Sequence, residues 1–377
     1  MTRRGRDLAR LAVLLLALLV APACLGGADE PTGAGATVAA DAGTERPPAS
    51  VMPSPASTPG TGPGTPPVSV TPSSTPPVST ATPTPDPARE PVAWYITSLR
   101  ERAYNGCCIE RLRIYEQTAA YTSWVIAYRS EDLRVTGLLA VPNGAGPFPV
   151  AVINHGYFPF NEYDTGWDTI REVRFMASNG YVAVAPDYRN YAGSDDGDHI
   201  FVPGYVYDVR NLLVALQDLP EVDAARIGMM GHSMGGGITL QSLASGADIK
   251  VAALFGTVSA NEAENWDARV NRWSGGPEAG ALAERYGTPV EAPEIYARMS
   301  PASYWDAVTA PVIIHHGDAD SVTPIQWAYD VEAGLRTAGK PVELYVYPGA
   351  GHSLNGADFD LAMARTLAFF DAVLRPQ

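Results

Sequence analysis

Cysteine is nearly missing from this chain: of 377 residues only positions 24, 107 and 108 carry a thiol. Cys107 and Cys108 are neighbours and could close only a small strained ring, so the sequence predicts buried or idle thiols rather than a disulfide. No further ligand residues stand near them, which argues against a zinc site. Basic residues are scarce too, 26 Lys and Arg against 41 Asp and Glu, for a formal net charge of −15. Such an acidic chain is a poor partner for nucleic acid or anionic polymers. Long apolar runs are lacking: Leu11–Val20 holds ten residues, half of the roughly 20 that a membrane helix needs. No nucleotide, flavin or metal signature appears, so no cofactor is implied. Asp195-Asp196-Gly197-Asp198 lacks the spacing and terminal Glu of a calcium loop and reads as a solvated acidic turn.

What is present begins with an export pattern. Arg3, Arg4, Arg6 and Arg10 precede the apolar run, and Ala21-Pro22-Ala23 offers small residues for cleavage, so residues 1–23 read as a signal peptide. That segment carries +3 (four arginines less Asp7), which puts the remainder at −18. Cys24 follows at once. It reads either as the acylated cysteine of a lipoprotein box or as an incidental residue beside ordinary cleavage. Fifteen of the 33 prolines lie between Pro47 and Pro91. That composition buries too little apolar surface to offset its ordering entropy, so residues 24–92 are expected to form a disordered tether. An exported, extracellular or surface-held protein follows, with membrane attachment through Cys24 as one form of it. Residues 93–377 remain for one α/β domain.

In that domain Arg111–Arg129 and Leu133–Val141 read as early antiparallel strands. Apolar runs then recur at Val150–Ile153, Val182–Ala185, Ile227–Met230, Val251–Phe255, Val312–Ile314 and Val342–Val346. Continuous runs of this length suit a parallel sheet covered on both faces. Between them Val206, Val209, Leu212, Leu213 and Leu216 share a helix face. Thr323-Pro324-Ile325-Gln326 reads as a capping box opening a helix that ends near Gly339, and Leu361–Leu374 as a last helix. The prediction is a doubly wound, mostly parallel α/β sheet. Residues 258–304, with Trp266 and Trp273, break the rhythm and are expected to form a small cap over the carboxyl ends of the strands.

The chemistry centres on Gly231-His232-Ser233-Met234-Gly235. A G-x-S-x-G that follows an apolar strand and opens a helix has the strand-turn-helix form of a nucleophile elbow. A serine hydroxyl needs a base. Of the histidines at 155, 199, 232, 315, 316 and 352, His352 sits on a glycine-rich loop after the last strand, free to reach the elbow. The imidazole needs an acid; Asp318 and Asp320 compete, and Asp320 lies further into the turn, nearer the His352 loop. An oxyanion needs two amides. Met234 at the helix N-terminus supplies one, and Tyr157, after His155-Gly156, is the choice for the other.

These motifs, with Asn154-His155-Gly156, Asp187-Tyr188-Arg189, Ser300-Pro301 and His316-Gly317 through Pro324, occur in an order that resembles the prolyl-oligopeptidase family and dienelactone-hydrolase-like esterases. The resemblance spans about Leu133 to the C-terminus and implies the α/β-hydrolase fold. It also implies that the aspartate three residues after the His-Gly glycine, Asp320, is the acid. Where the family usually has a β-propeller, this chain has the proline-rich tether. Five aromatics between Tyr157 and Asp168 suit an apolar or aromatic substrate group, with about half of them expected in the core. The expected activity is hydrolysis of carboxylic esters through an acyl-enzyme. The alternatives are a serine peptidase on short peptides and, in another class, an inactive surface-binding domain.

Overall fold

Strands of five to eleven residues, after an opening run of three, alternate with helices through the computed structural model, which describes residues 91–198, 203–271 and 276–375. The signal pattern, Cys24, the tether up to residue 90 and His199 lie outside the described residues. After a short 3-10 turn at Val92–Trp94 and helix α1 (Ile96–Glu101), β1 (Cys107–Gln117), β2 (Tyr121–Ser130) and β3 (Leu133–Pro142) form an antiparallel meander. Then come β4 (Phe148–Asn154), α2 (Ile170–Ser178), β5 (Val182–Pro186), α3 (Pro203–Ala215), β6 (Val222–His232), α4 (Met234–Ala244) and β7 (Val251–Phe255). Helices α5 (Glu262–Asn271), α6 (Gly276–Tyr286) and α7 (Pro293–Met299) precede β8 (Val312–Gly317), α8 (Ile325–Thr337), β9 (Val342–Tyr347) and α9 (Gly356–Leu374).

The strands join in one sheet of order β1-β2-β3-β5-β4-β6-β7-β8-β9. From β5 across to β9 all neighbours are parallel, while β3 runs antiparallel to β5. Alternation of side chains sorts the strands onto two cores. Val150, Val152, Val182 and Val184 face one side, packed with Val206, Leu212, Ile238 and Val331 from α3, α4 and α8. Ala151, Ile153, Ala183 and Ala185 face the other, against Val173 and Met176 of α2 and Met363 and Phe370 of α9. The connection from β4 goes outward to β5 and the next returns across it to β6. The sheet therefore reverses winding between β4 and β6, where doubly wound sheets bind ligands at the carboxyl ends of the strands.

Four local expectations are corrected. Arg111–Arg129 is two strands, because Thr118 folds back: its Oγ1 accepts from the amides of Ala120 and Tyr121, at 3.1 and 3.0 Å. Cys107 and Cys108 are joined by a disulfide and are not buried thiols; Cys108 adopts a left-handed backbone (φ 66°) that lets adjacent residues bring their sulfurs together. Thr323 does not cap α8. Pro324 takes the cap position and the Thr323 hydroxyl turns to Asp320 and Gly256. The last helix begins at Gly356, five residues before Leu361. The stretch after β7 holds three helices, whose Leu282, Ile295, Tyr296 and Met299 form a cluster with Tyr95 and Trp94.

Candidate active site

Ser233 follows β6 directly and stands at the N-cap of α4, with φ 54° and ψ −119°. A side-chain-bearing residue holds that conformation only at a cost, and the neighbouring glycines make it feasible. A Cβ on Gly231 would collide with the Gly235 carbonyl, and one on Gly235 with the carbonyl of Asn154 on β4. The turn is thus wedged against the adjacent strand, with Ser233 N bonded to Phe255 O at 2.9 Å. Ser233 itself is only partly buried, at the switch point of the sheet. The Met234 amide lies at the positive end of α4.

His352 sits in the loop between β9 and α9, and its Nδ1 lies 2.8 Å from Asp320 Oδ2. Asp320 Oδ1 accepts the amides of Val322 and Thr323 at 2.8 and 2.9 Å, and the Thr323 hydroxyl reaches Oδ2 at 2.7 Å. His316 Nε2 is 3.4 Å from the same oxygen. Burial alone would raise this carboxyl, but the donors from His316, His352 and Thr323 hold it far below the ordinary carboxylate range. An anion fixed in this way can orient an imidazole and stabilise its charged form. Asp318 does something else: its Oδ1 accepts the Gly349 amide at 2.6 Å, pinning the loop that carries His352. The structure therefore brings Asp320, not Asp318, to His352.

The loop after β4 passes over the nucleophile, since a Cβ on Gly156 would stand 3.2 Å from Ser233 Cβ. The Gly156 amide donates to Asp168 Oδ2 at 2.8 Å, and the same oxygen lies 3.1 Å from His232 Nδ1. His232 Nε2 is 3.2 Å from the His352 carbonyl. Of the five loop aromatics, Phe158, Phe160 and Tyr163 pack on the core, while Tyr157 and Trp167 are 59% and 55% exposed, with Trp167 stacked on Phe158. His155 is buried between the rings of Tyr163 and Tyr188, and burial lowers its pKa. His315 is bonded to the hydroxyls of Tyr347 and Thr366, and burial takes it down to about 3. Neither is placed to serve Ser233. Among the described residues no group of three His, Cys, Asp or Glu could hold a metal.

The profile of the prolyl oligopeptidase family (Peptidase_S9) matches residues 167–377, more than half of the sequence. This chain belongs to the prolyl oligopeptidase family. It is therefore a serine hydrolase built on the α/β-hydrolase fold. An uncharacterized peptidase of Bacillus subtilis strain 168, YtmA, is 28% identical over 252 residues, which are 65% of this chain and 91% of that one. Among solved structures, acetyl xylan esterase 1 from Thermoanaerobacterium sp. JW/SL YS485 superposes with a TM-score of 0.57 at 19% identity, covering 73% of this chain and 90% of the esterase. Acylaminoacyl peptidase from Pyrococcus horikoshii gives 0.54 at 22% identity, covering 69% of this chain and 43% of the peptidase.

Within this family member, sequence reasoning singled out Ser233, Met234, Asp320, His352 and Tyr157, and all five lie at the carboxyl end of the parallel strands: Tyr157 after β4, Ser233 and Met234 where β6 passes into α4, Asp320 after β8 and His352 after β9. It missed Asp168, Thr323 and His316 as neighbours of the site. His316 stands four residues before Asp320, a spacing that could have suggested the contact. Nothing in the sequence marks Asp168, 64 residues from its partner His232.

Proposed function

We propose that the chain hydrolyses carboxylic esters, with Ser233 as nucleophile, His352 as general base and Asp320 as its acid. The observation that carries this reading is the 2.8 Å contact between His352 Nδ1 and Asp320 Oδ2, at the same end of the sheet as Ser233 with its strained elbow backbone. With Nδ1–H directed at the carboxylate, Nε2 is the basic nitrogen. It takes the Ser233 proton as Oγ attacks the ester carbon. The tetrahedral oxyanion is received by the amides of Met234 and Tyr157. Collapse expels the alcohol, which leaves with the proton from His352, and the acyl group remains on Ser233. Water, deprotonated by His352, then repeats the addition and frees the acid.

The ester reading draws on the likeness to the acetyl xylan esterase, matched over 90% of its length; span does not rank ester above peptide, since the peptidase YtmA is matched over 91%. The exposed faces of Tyr157 and Trp167 beside the nucleophile suit an aromatic or otherwise apolar acyl or alcohol group. A serine peptidase acting on short peptides is the second reading, favoured by the likeness to the peptidase YtmA. Helices α5 to α7 are the candidate cap shaping the pocket. Residues 1–24 support export with lipid attachment at Cys24, tested by palmitate labelling of wild type and Cys24→Ala.

The functional test is turnover of a p-nitrophenyl ester panel beside dipeptidyl and prolyl amides, with wild type and Ser233→Ala in parallel. Ester turnover that falls on the order of a millionfold in the variant is expected. Efficient Ser233-dependent amide cleavage would reverse the ranking. No turnover of either class would favour a binding domain.

A further inference from the structure

We propose that His232 works as a positioning residue in its protonated form, an imidazolium clamped between Asp168 and the His352 carbonyl that holds the base loop and the β4 exit loop on the nucleophile. The inference rests on the reading of Ser233 and His352 given above.

A neutral imidazole carries one N–H. Here both ring nitrogens face acceptors: Nδ1 meets Asp168 Oδ2 at 3.1 Å, and Nε2 meets the His352 carbonyl at 3.2 Å. That oxygen of Asp168 also accepts the Gly156 amide at 2.8 Å, which fits an anion rather than a carboxylic acid. His155 also lies between two carbonyl oxygens, yet burial without a carboxylate in contact leaves it neutral. The Asp168 carboxylate separates the two cases. Burial opposes the charge on His232, while Asp168, the His352 carbonyl and Glu172 outweigh it and raise its pKa.

Three loops meet in this clamp. Asp168 fixes Gly156, whose next residue carries the proposed oxyanion amide of Tyr157. His232 belongs to the elbow, immediately before Ser233. Its second bond ends on the backbone of His352, with the two imidazole rings 4.8 Å apart between centroids. Loss of the clamp should leave substrate binding largely intact and loosen the geometry in which proton transfer occurs. A misplacement of about 1 Å at such a site costs roughly a hundredfold. The titratable groups around the pair are Asp168, Glu172 and Arg171 from the α2 side, His155 just after β4 and His352 from the β9 loop.

The test uses the full chain with His232→Asn, His232→Gln and Asp168→Asn. Asn offers a donor near the Nδ1 position only. Gln reaches further and places a donor near Nε2, where the His352 carbonyl waits. His232→Asn should lower kcat by roughly 10- to 100-fold with KM little changed, and His232→Gln should recover part of the loss. In ring-15N-histidine spectra, the signal absent from His232→Asn should report an imidazolium at pH 7 in wild type. Its titration should move to lower pH in Asp168→Asn, as should the alkaline limb of kcat. A neutral His232 at pH 7, or full kcat in His232→Asn, would overturn the proposal. Fluorophosphonate labelling of wild-type Ser233 separates the two levels: no labelling sinks the catalytic reading, whereas normal labelling with unaffected His232 variants sinks only this one.

Discussion

Replacing Asp320 with Asn should be far more damaging than the same change at Asp318, and the hydrogen bonds say why. Asp320 Oδ1 accepts two backbone amides, from Val322 and Thr323. An asparagine must keep its carbonyl oxygen there, because an NH2 group facing two fixed N–H donors would be repelled. The NH2 then falls at the Oδ2 position, 2.8 Å from His352 Nδ1. His352 has to accept at Nδ1 and so carries its proton on Nε2, where it can no longer remove the Ser233 proton. This wrong-tautomer state costs on the order of 10⁴ in kcat, about 5 kcal/mol of activation energy. At Asp318 only the Gly349 amide is accepted, and an asparagine oxygen serves it equally, so activity should stay within a few-fold. The assay is steady-state kcat on a p-nitrophenyl ester for both variants, with circular dichroism as a check on folding. Retention of more than about a tenth of wild-type kcat in Asp320→Asn, or a larger loss in Asp318→Asn, would refute the reasoning.

Two further outcomes concern stability. Glu172 is largely buried, its Oε2 has no hydrogen-bond partner among the described residues, and burial pushes its pKa from 4.5 up to about 7. The folded state thus favours its neutral form: the contribution is intact below about pH 4.5 and is lost as pH rises through about 7. At about 1.4 kcal/mol per pH unit the loss approaches roughly 3 kcal/mol. Glu172→Gln should therefore raise the unfolding midpoint at pH 8 and change it little at pH 4.5, and equal effects at both would contradict this. Asp208 is fully buried and accepts two of the guanidinium bonds of Arg189, at 2.9 and 3.0 Å, together with the hydroxyl of Ser130, while Glu131 accepts another from Arg189 at 3.0 Å. Asp208→Ala should cost roughly 3–5 kcal/mol in urea unfolding because it strands a buried cation; a loss under about 1 kcal/mol would show that Glu131 compensates.

Much of this architecture was legible because the signals were local. The runs Val182–Ala185 and Val251–Phe255 are strands almost to the residue, since a strand buried on both faces admits few polar side chains. Glycines at 231 and 235 announced a turn whose crowding only glycine permits. Legibility failed where a residue serves a distant partner. Thr323 has the sequence of a helix cap, yet its hydroxyl is drawn to a carboxylate that the fold places beside it. Thr118 turns the chain between β1 and β2 with two alanines, and no glycine or proline announces the break. The Asp168–His232 contact exists only once β4 and β6 lie side by side, which no spacing along the chain encodes. Adjacent cysteines read as idle thiols because they close only a small strained ring; the left-handed backbone at Cys108, which no residue type in the pair announces, is what brings the sulfurs together.

The central claim is that Ser233 is the nucleophile. Its most direct test is reaction of the folded protein with a fluorophosphonate, followed by peptide mapping by mass spectrometry, with Ser233→Ala alongside. One adduct on the peptide containing Ser233, formed in step with loss of ester turnover and absent from the variant, is the predicted result. No adduct on the folded wild type, or an adduct elsewhere with turnover persisting in Ser233→Ala, would contradict it.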